Sequence, residues 1–168
     1  SVIHRLPANV VGDGASSIKK LVEIKNADPL RKSVDTYKKI KLEKEVEAYL
    51  SLQDLTINSV LKKDQQVYLQ PSTPSDMDLG GDTIDITDSI HSSVKKVVLR
   101  IMKSIPGLSL AGIDYMSKDI FSEQNLDVYR VIEVNNSPSL DWNEFPLVGK
   151  RRNVSFEILK IMFPELKK

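Results

Sequence analysis

One long amphipathic segment followed by two short apolar ones limits the possible folds of this chain more than any other feature. Apolar residues recur in the first segment at helical spacing, which predicts a helix with one buried face. That face consists of Val94, Val97, Val98, Ile101, Met102 and Ile105. We place its start at Thr87 or Asp88 and its end before Pro106. Residues 108–116 and 128–135 then predict two strands, so the succession indicates an α+β fold.

The remaining segments predict further helices and one more strand. A helix follows Ser16 or Ser17, either of which can cap it. Further helices are predicted over residues 43–53 and 152–162, and a strand over residues 67–69. The lysine-rich stretch between the first two helices, residues 32–44, predicts an exposed connection, and His91 is interpreted as a surface or capping histidine. We therefore expect a mostly antiparallel sheet with helices packed on one face, in a single domain of residues 1–168.

Composition excludes several classes of protein. The 168 residues carry 24 Lys plus Arg against 23 Asp plus Glu, a net charge of +1 that gives no support for nucleic-acid or membrane binding. There is no cysteine, which removes disulfides and thiolate metal sites and suits a cytoplasmic location. No apolar run reaches the roughly 18 residues that a membrane span needs.

Three polar residues interrupt the two apolar strands of the second half. Asp114 lies in the first strand, and Glu133 and Asn135 lie two residues apart in the second. Side chains alternate between the faces of a strand, so Glu133 and Asn135 point the same way, and pairing of the strands can bring Asp114 beside them. Two carboxylates and an amide oxygen suit a divalent cation. The alternative is that all three face solvent on the open side of a half-buried sheet.

Four motifs in order carry a resemblance to a known family. They are RLPANVVGDG at residues 5–14, GGDTIDITD at 80–88, AGID at 111–114 and VIEVNNSP at 131–138. Together with residues 145–154 and 163–164 they resemble ATP-grasp carboxylate–amine ligases of the cyanophycin synthetase and bifunctional glutathione synthetase type. The resemblance spans nearly the whole chain, is weakest over residues 32–66, and implies the C-terminal lobe of an ATP-grasp fold.

The resemblance implies a reaction and a set of ligands. Such enzymes bind ATP with Mg²⁺ (Mn²⁺ is an alternative), phosphorylate a substrate carboxylate and let an amine displace the phosphate, so small-molecule carboxylates and amines, such as amino acids or peptides, are the expected partners. By position in the motifs, Asp114 would bind one metal ion, Glu133 would bridge two and Asn135 would bind the second. Gly80 and Gly81 would approach a phosphate or the substrate, although a plain turn explains two glycines equally well.

A basic run before the last helix offers one more cofactor-binding candidate. Arg152 closes the run that begins at Lys150, and its guanidinium could reach a phosphate or a substrate carboxylate. Basic residues before a helix are more often simply solvated. No residue is assigned a catalytic role from the sequence.

The sequence also departs from the family. These ligases have an arginine after the strand that matches residues 67–69, where it stabilises the charged transition state; here the residue is Gln70. The family's nucleotide-binding lysines match positions upstream of Ser1, so we expect an upstream ATP-grasp lobe of the same parent chain, and an isolated fragment without activity. A non-catalytic ATP-grasp-like module that binds nucleotide or metal is the alternative, favoured by Gln70.

Overall fold

The structure, a computed structural model, describes residues 1–33, 36–71, 77–163 and 165. Six strands run through this part of the chain: β1 (Ile3–Leu6), β2 (Asn9–Val11), β3 (Gln66–Tyr68), β4 (Asp82–Asp85), β5 (Gly112–Ser117) and β6 (Tyr129–Asn135). Six helices accompany them: α1 (Ile18–Asn26), α2 (Leu30–Ser33), α3 (Lys44–Ser51), α4 (Ser92–Ser104), α5 (Asp141–Glu144) and α6 (Val154–Met162). Among the described residues, no helix is both long and apolar enough to cross a membrane.

The chain divides into two compact units. The first unit contains Ile3–Ile84 and Phe145–Lys150, and the second contains Ser1–Val2, Asp85–Glu144 and Arg151–Lys168. The strands form three two-stranded sheets, β1 with β4, β2 with β3 and β5 with β6. The last two pairs are antiparallel, which confirms the predicted α+β class and antiparallel pairing, with the strands distributed over three small sheets.

The first unit is built around a contiguous apolar core. Its helix α1 begins where the sequence predicts, because the Ser17 hydroxyl accepts a hydrogen bond from the Lys20 amide at 3.3 Å and caps the first turn. The core members share near-complete burial in a single cluster. They are Ala8, Val10, Ile18, Leu21, Val22, Ile40, Leu50, Leu61, Val67 and Leu69. Residues from β2, α1, α3 and β3 thus exclude water together, and this burial is the main stabilising force of the unit.

The prediction of an exposed connection over residues 32–44 is wrong in part for the residues that the structure describes, which exclude 34 and 35. Its lysines are exposed, but Tyr37 and Ile40 are buried, with 3% and 4% of their surfaces accessible. The Asn26 side chain fixes the segment, donating to the Ile40 carbonyl at 2.8 Å and accepting from the Ile40 amide at 2.9 Å. Isolated apolar residues among lysines carry no periodic signal, so the sequence pattern could not reveal that the segment packs inward.

The second unit differs from expectation at its two long helices. Helix α4 begins at Ser92, because the His91 ring accepts from the Ser93 amide at 3.3 Å; the start predicted at Thr87 or Asp88 is wrong, and the capping interpretation of His91 is confirmed. In α6, Ile161 and Met162 belong to an apolar series whose helical spacing predicts a buried face, yet they are 58% and 64% exposed. Apolar periodicity marks the face that can be buried, but only packing decides whether it is.

Candidate functional site

The antiparallel ladder of β5 and β6 brings the three predicted metal ligands together at one of its ends. Asp114 pairs directly with Glu133, and Gly112 pairs with Asn135. Directly opposite residues in such a ladder project from the same face, about 5 Å apart at their Cβ atoms. Since Glu133 and Asn135 also share a face, the oxygen-bearing side chains of all three lie on one side of the sheet. Glu133 and Asn135 are exposed, and Asp114 is half-buried.

A bulge in β6 separates this end of the ladder from the rest. The register shifts after Asp114, so that Tyr115 pairs with Val131 and leaves Ile132 without a direct partner. Beyond the bulge the rings of Tyr115 and Tyr129 stack, with centroids 5.1 Å apart and planes within 10°. The bulge therefore lets an aromatic pair anchor one end of the hairpin while carboxylates occupy the other.

The position of Asn135 is fixed by the turn that follows β6. Its side-chain oxygen accepts from the Ser137 amide at 2.8 Å, which closes an Asx turn and still leaves the amide oxygen a second lone pair. Pro138 then packs against β5, where a Cβ atom on Gly112 would lie 2.7 Å from the Pro138 Cβ atom. Gly112 is thus required for close approach, and the sequence reasoning missed its role. A glycine inside a strand is the signal that could have found it.

A buried glutamine holds the connection between the two strands. The Gln124 side-chain oxygen accepts from the hydroxyls of Tyr115 at 2.9 Å and Ser117 at 2.8 Å. Its nitrogen donates to the carbonyls of Asp119 at 2.8 Å and Ser122 at 2.7 Å. Both lone pairs of the oxygen and both N–H groups of this amide are therefore used. The buried Gln124 side chain thus connects the loop to β5. Sequence reasoning did not single out Gln124, because a lone glutamine in a polar loop carries no pattern.

The donor set suits a hard divalent cation. Two carboxylates on facing positions and one amide oxygen supply the oxygen ligands that Mg²⁺ or Mn²⁺ takes, and their exposure leaves room for phosphate oxygens and water. Within the described part of the chain, no group of three or more His, Cys, Asp and Glu side chains could hold a metal ion. The candidate centre therefore depends on Asn135 as well as on the two carboxylates.

The third predicted cofactor-binding residue, Arg152, is engaged in ion pairs within the second unit. Its guanidinium donates to Asp85 at 2.6 Å and lies 2.9 Å from a carboxylate oxygen of Asp88. Burial works to raise the pKa of Asp85, but hydrogen bonds from Arg152 and Thr87, together with the Arg152 charge, lower it overall. The two carboxylates hold Arg152 in place before α6, a more constrained position than the solvated one that its sequence context suggested.

The glycines of the predicted phosphate loop lie in the first unit, before β4. Gly80 has a φ of +92°, and a Cβ atom there would lie 2.9 Å from the Ile40 backbone nitrogen. The Gly81 carbonyl accepts from Arg31 at 3.1 Å. Both the positive φ and the close packing against Ile40 require glycine at position 80. The predicted contact of Gly80 and Gly81 with a phosphate stays a prediction.

A cleft of about 390 Å³ also lies in the first unit, and Gln70 forms part of its wall. The other lining residues come from β1, α3, β3 and the turn after β1: His4, Arg5, Leu6, Tyr49, Tyr68 and Pro7. Among the described residues, the buried Gln70 side-chain nitrogen has no hydrogen-bond partner. A buried donor without an acceptor costs free energy, so this amide is suited to an acceptor group on a bound molecule. Burial also lowers the pKa of His4, which favours the neutral form of its ring.

The chain is similar in sequence to several named proteins. The chain is 39% identical over 170 aligned residues to the glutathione biosynthesis bifunctional protein GshAB of Pasteurella multocida, covering 99% of the chain and 22% of that protein. It is 38% identical over 164 residues to GshAB of Clostridium perfringens, covering 96% of the chain and 21% of that protein. No family model matches the chain.

A solved structure is similar as well. The crystal structure of a bifunctional glutathione synthetase from Pasteurella multocida matches the chain with a TM-score of 0.88 and 38% identity, over 97% of this chain and 22% of that one. The chain thus spans about a fifth of the length of the curated relatives and of the solved structure that it matches.

Proposed function

We propose that this chain, a homologue of one stretch of the bifunctional glutathione synthetases, is the metal-binding part of an ATP-dependent ligase that joins a carboxylate to an amine. The similarity in sequence and in fold to these ATP-grasp enzymes supports a ligase of this kind. The observation that carries the proposal is the pairing of Asp114 with Glu133 across the β5–β6 ladder, with Asn135 on the same face.

The three residues would act as ligands of the metal ions that accompany ATP. Asp114 would hold one ion and Asn135 the second. Glu133 faces Asp114 across the ladder and precedes Asn135 by two residues on the same strand, so it would bridge both ions. A divalent ion bound there would neutralise charge on the phosphate oxygens and orient the γ-phosphate. Asn135 is suited to this role because its Asx turn fixes the direction of the side-chain oxygen before any ion arrives.

The reaction would proceed in two displacements. A carboxylate oxygen of the first substrate attacks the γ-phosphorus of ATP, so that ADP leaves and an acyl phosphate forms. The amine nitrogen of the second substrate then attacks the acyl carbon, phosphate leaves, and the nitrogen loses a proton. The first step needs no general base, because a carboxylate is already ionised at neutral pH. Amino acids or short peptides are the substrates that the homology favours.

Other parts of the chain would contribute to binding. Gly81 would offer its backbone amide to a phosphate or to the substrate. Gly80, whose amide donates to the Met77 carbonyl at 3.3 Å, would contribute by allowing the close approach. Arg152 is paired with Asp85 and Asp88, so it would reach a phosphate or a carboxylate by giving up one of these ion pairs. The remainder of the nucleotide site would come from an upstream lobe of the longer parent chain, in keeping with the 22% coverage of the relatives. Such ATP-dependent synthesis agrees with the cytoplasmic location expected from the composition.

The decisive experiment replaces the bridging carboxylate. In the full-length protein, Mg²⁺-dependent ADP release is measured with a panel of amino acids and short peptides, and Glu133→Gln is compared with wild type. We expect release that depends on one substrate and falls by at least about a hundredfold in the variant, since a metal ligand is lost. Glu123→Gln, in the exposed loop before β6, is the matched control and should retain full activity.

Equal release from Glu133→Gln and wild type would refute the metal assignment. ADP release by wild type with no substrate dependence would instead argue against a ligase.

The alternative function is a non-catalytic module that binds Mg-nucleotide without turnover. Gln70 favours it, because an amide cannot supply the positive charge that an arginine offers to a developing acyl phosphate. The test is Gln70→Arg: if Gln70 had abolished catalysis, the arginine variant should gain ADP release. A wild-type protein that already turns over, and loses activity on the same change, would refute the alternative.

A further inference from the structure

A buried arginine that the sequence reasoning passed over connects three parts of the first unit. The Arg31 side chain is 1% exposed. It donates to the Lys38 carbonyl at 2.6 Å, to the Gly81 carbonyl at 3.1 Å and to Asp82 at 2.6 Å. One guanidinium therefore ties the segment after α2 to the two-glycine turn and to the first residue of β4. A planar group with several donors in a fixed geometry is suited to this role.

The carboxylate of Asp82 is shared between two cations. Lys25 approaches its second oxygen at 2.5 Å, and Asn9 donates to the same oxygen at 2.9 Å. Burial lowers the pKa of Lys25, while its attraction to Asp82 works to raise it. With Lys25 and Arg31 both charged, the pair carries one more positive charge than Asp82 neutralises. That excess lies directly beside the Gly80–Gly81 turn.

The turn itself is held by packing on the other side. A Cβ atom at Gly80 would lie 2.8 Å from Ile40 Cγ1 as well as against the Ile40 backbone. Ile40 is in turn fastened to Asn26 by two hydrogen bonds. Gly80 thus packs against Ile40, and the Gly81 carbonyl is bound by the Arg31 guanidinium. The orientation of the turn's backbone depends on both contacts.

We infer that Arg31 is a positioning residue, which holds the Gly80–Gly81 turn in the conformation that receives a phosphate-bearing ligand. The inference rests on the proposed function, because the ligand of this turn is the phosphate-bearing molecule that the proposed ligase binds. Arg31 acts through the Gly81 carbonyl and Asp82, and does not touch the ligand. Lys25 shares Asp82 but has no bond to Gly81, so it contributes charge without setting the conformation of the turn.

Three variants of the full-length protein test this role. Arg31→Met removes all three contacts, Arg31→Lys keeps the charge, and Lys25→Met is the matched control that removes an equal charge from the same carboxylate. Amide hydrogen exchange of residues 77–85 and the Kd for Mg-ATP are measured in each. In Arg31→Met we expect about tenfold faster exchange and about tenfold weaker Mg-ATP binding, the order seen when supporting contacts of a site are lost. Arg31→Lys should lie in between.

The measurements distinguish a positioning role of Arg31 from an effect of its charge and from a loss of folding. A KM for ATP that rises in Arg31→Met while kcat changes less, in protein that thermal unfolding shows to be folded, would support the inference. Equal effects of Arg31→Met and Lys25→Met would overturn it in favour of charge alone. If Arg31→Met does not fold, Arg31→Lys decides, and unchanged exchange and Kd in that variant would overturn the inference. A wild-type protein without affinity for Mg-ATP would refute the proposed function, whereas unchanged exchange in Arg31→Met refutes the positioning role alone.

Discussion

The two units of the chain reach order by different means. In the first unit Leu50, Leu61 and Leu69 have 1% exposure or less and belong to one contiguous cluster. In the described part of the second unit, buried apolar residues are fewer: Val94, Val97 and Tyr129. There, large apolar side chains such as Met116 and Ile132 are 63% and 62% exposed.

The two units therefore depend on different stabilising interactions, apolar burial in the first and hydrogen bonds with ion pairs in the second. Apolar burial holds the first unit together, so deletions in its core should be costly. The second unit relies more on directional contacts, among them the β5–β6 ladder, the Gln124 amide and the Arg152 ion pairs. Its predicted metal ligands lie on an accessible strand face, as binding a solvated ion requires. Single substitutions in each unit test whether this contrast holds.

Truncation of a core side chain in the first unit should have the largest effect. Leu50→Ala removes a fully buried side chain, and we expect a loss of about 2–5 kcal/mol in the free energy of unfolding. Denaturant unfolding measures the change. Leu52→Ala, two residues on and 82% exposed, is the matched control, with an expected change within about 0.5 kcal/mol. Similar losses in both variants would contradict the idea of a compact core at α3.

Removal of one ion-pair partner should weaken the second unit. Asp85→Asn leaves Arg152 without a charged hydrogen-bond acceptor at that position, and we expect a loss of about 1.5–3 kcal/mol. Because the pKa of Asp85 is lower in the folded state than in the unfolded chain, its contribution is present above about pH 4 and is lost as pH falls below it. Hydrogen exchange of α6 between pH 3 and 6 measures this dependence. Asp127→Asn, in an exposed loop, should leave it unchanged.

A methyl group added at the crowded start of β5 should disturb the candidate metal ligands. Gly112→Ala places a Cβ atom against Pro138, so we expect a loss of about 1–3 kcal/mol from overpacking and weaker Mg²⁺ binding as the Asn135 turn shifts. Isothermal titration with Mg²⁺ and Mg-ATP measures the affinity. Met116→Ala, on the same strand and exposed, is the control. Unchanged affinity for Mg²⁺ in Gly112→Ala would show that the packing at Gly112 does not position the metal ligands.

The smallest effect should come from the exposed face of the hairpin. Ile132→Ser replaces a bulged residue that is 62% exposed, and we expect the free energy of unfolding to change by about 0.5 kcal/mol or less. Thermal unfolding measures it. A loss comparable with that in Leu50→Ala would mean that Ile132 is buried in the full-length protein, and would remove the contrast between the units.

Sequence reasoning succeeded where a local pattern has one physical cause. Ser16 or Ser17 was expected to cap α1, and Ser17 does so. Periodicity identified α4, because capping and amphipathic spacing act within a few residues. The spacing of Glu133 and Asn135 fixed their common face. The facing of Asp114 and Glu133 was a possibility from sequence, and the register of the ladder realises it.

Other features depend on contacts between distant residues. Arg31 reaches Gly81 across 50 positions, and Tyr37 bonds Thr83 at 2.5 Å across 46. Neither residue belongs to a periodic pattern, so no local signal in the sequence shows that its side chain is buried. The bulge in β6 coincides with a break in the alternation, where the apolar residues Val131 and Ile132 are adjacent. Two adjacent apolar residues do not by themselves reveal a register shift, because the register also depends on the partner strand.

By itself, the sequence determined which segments can form helices and strands, which residues could bind a divalent ion, and which family the motifs resemble. These properties depend on side-chain chemistry and short-range spacing. The tertiary structure decided that the lysine-rich segment carries buried anchors, that Arg31 supports the glycine turn, and that Gly112 admits Pro138 beside the candidate ligands. Those outcomes depend on which surfaces meet, and the meeting of distant surfaces is set by packing of the whole unit rather than by any local pattern.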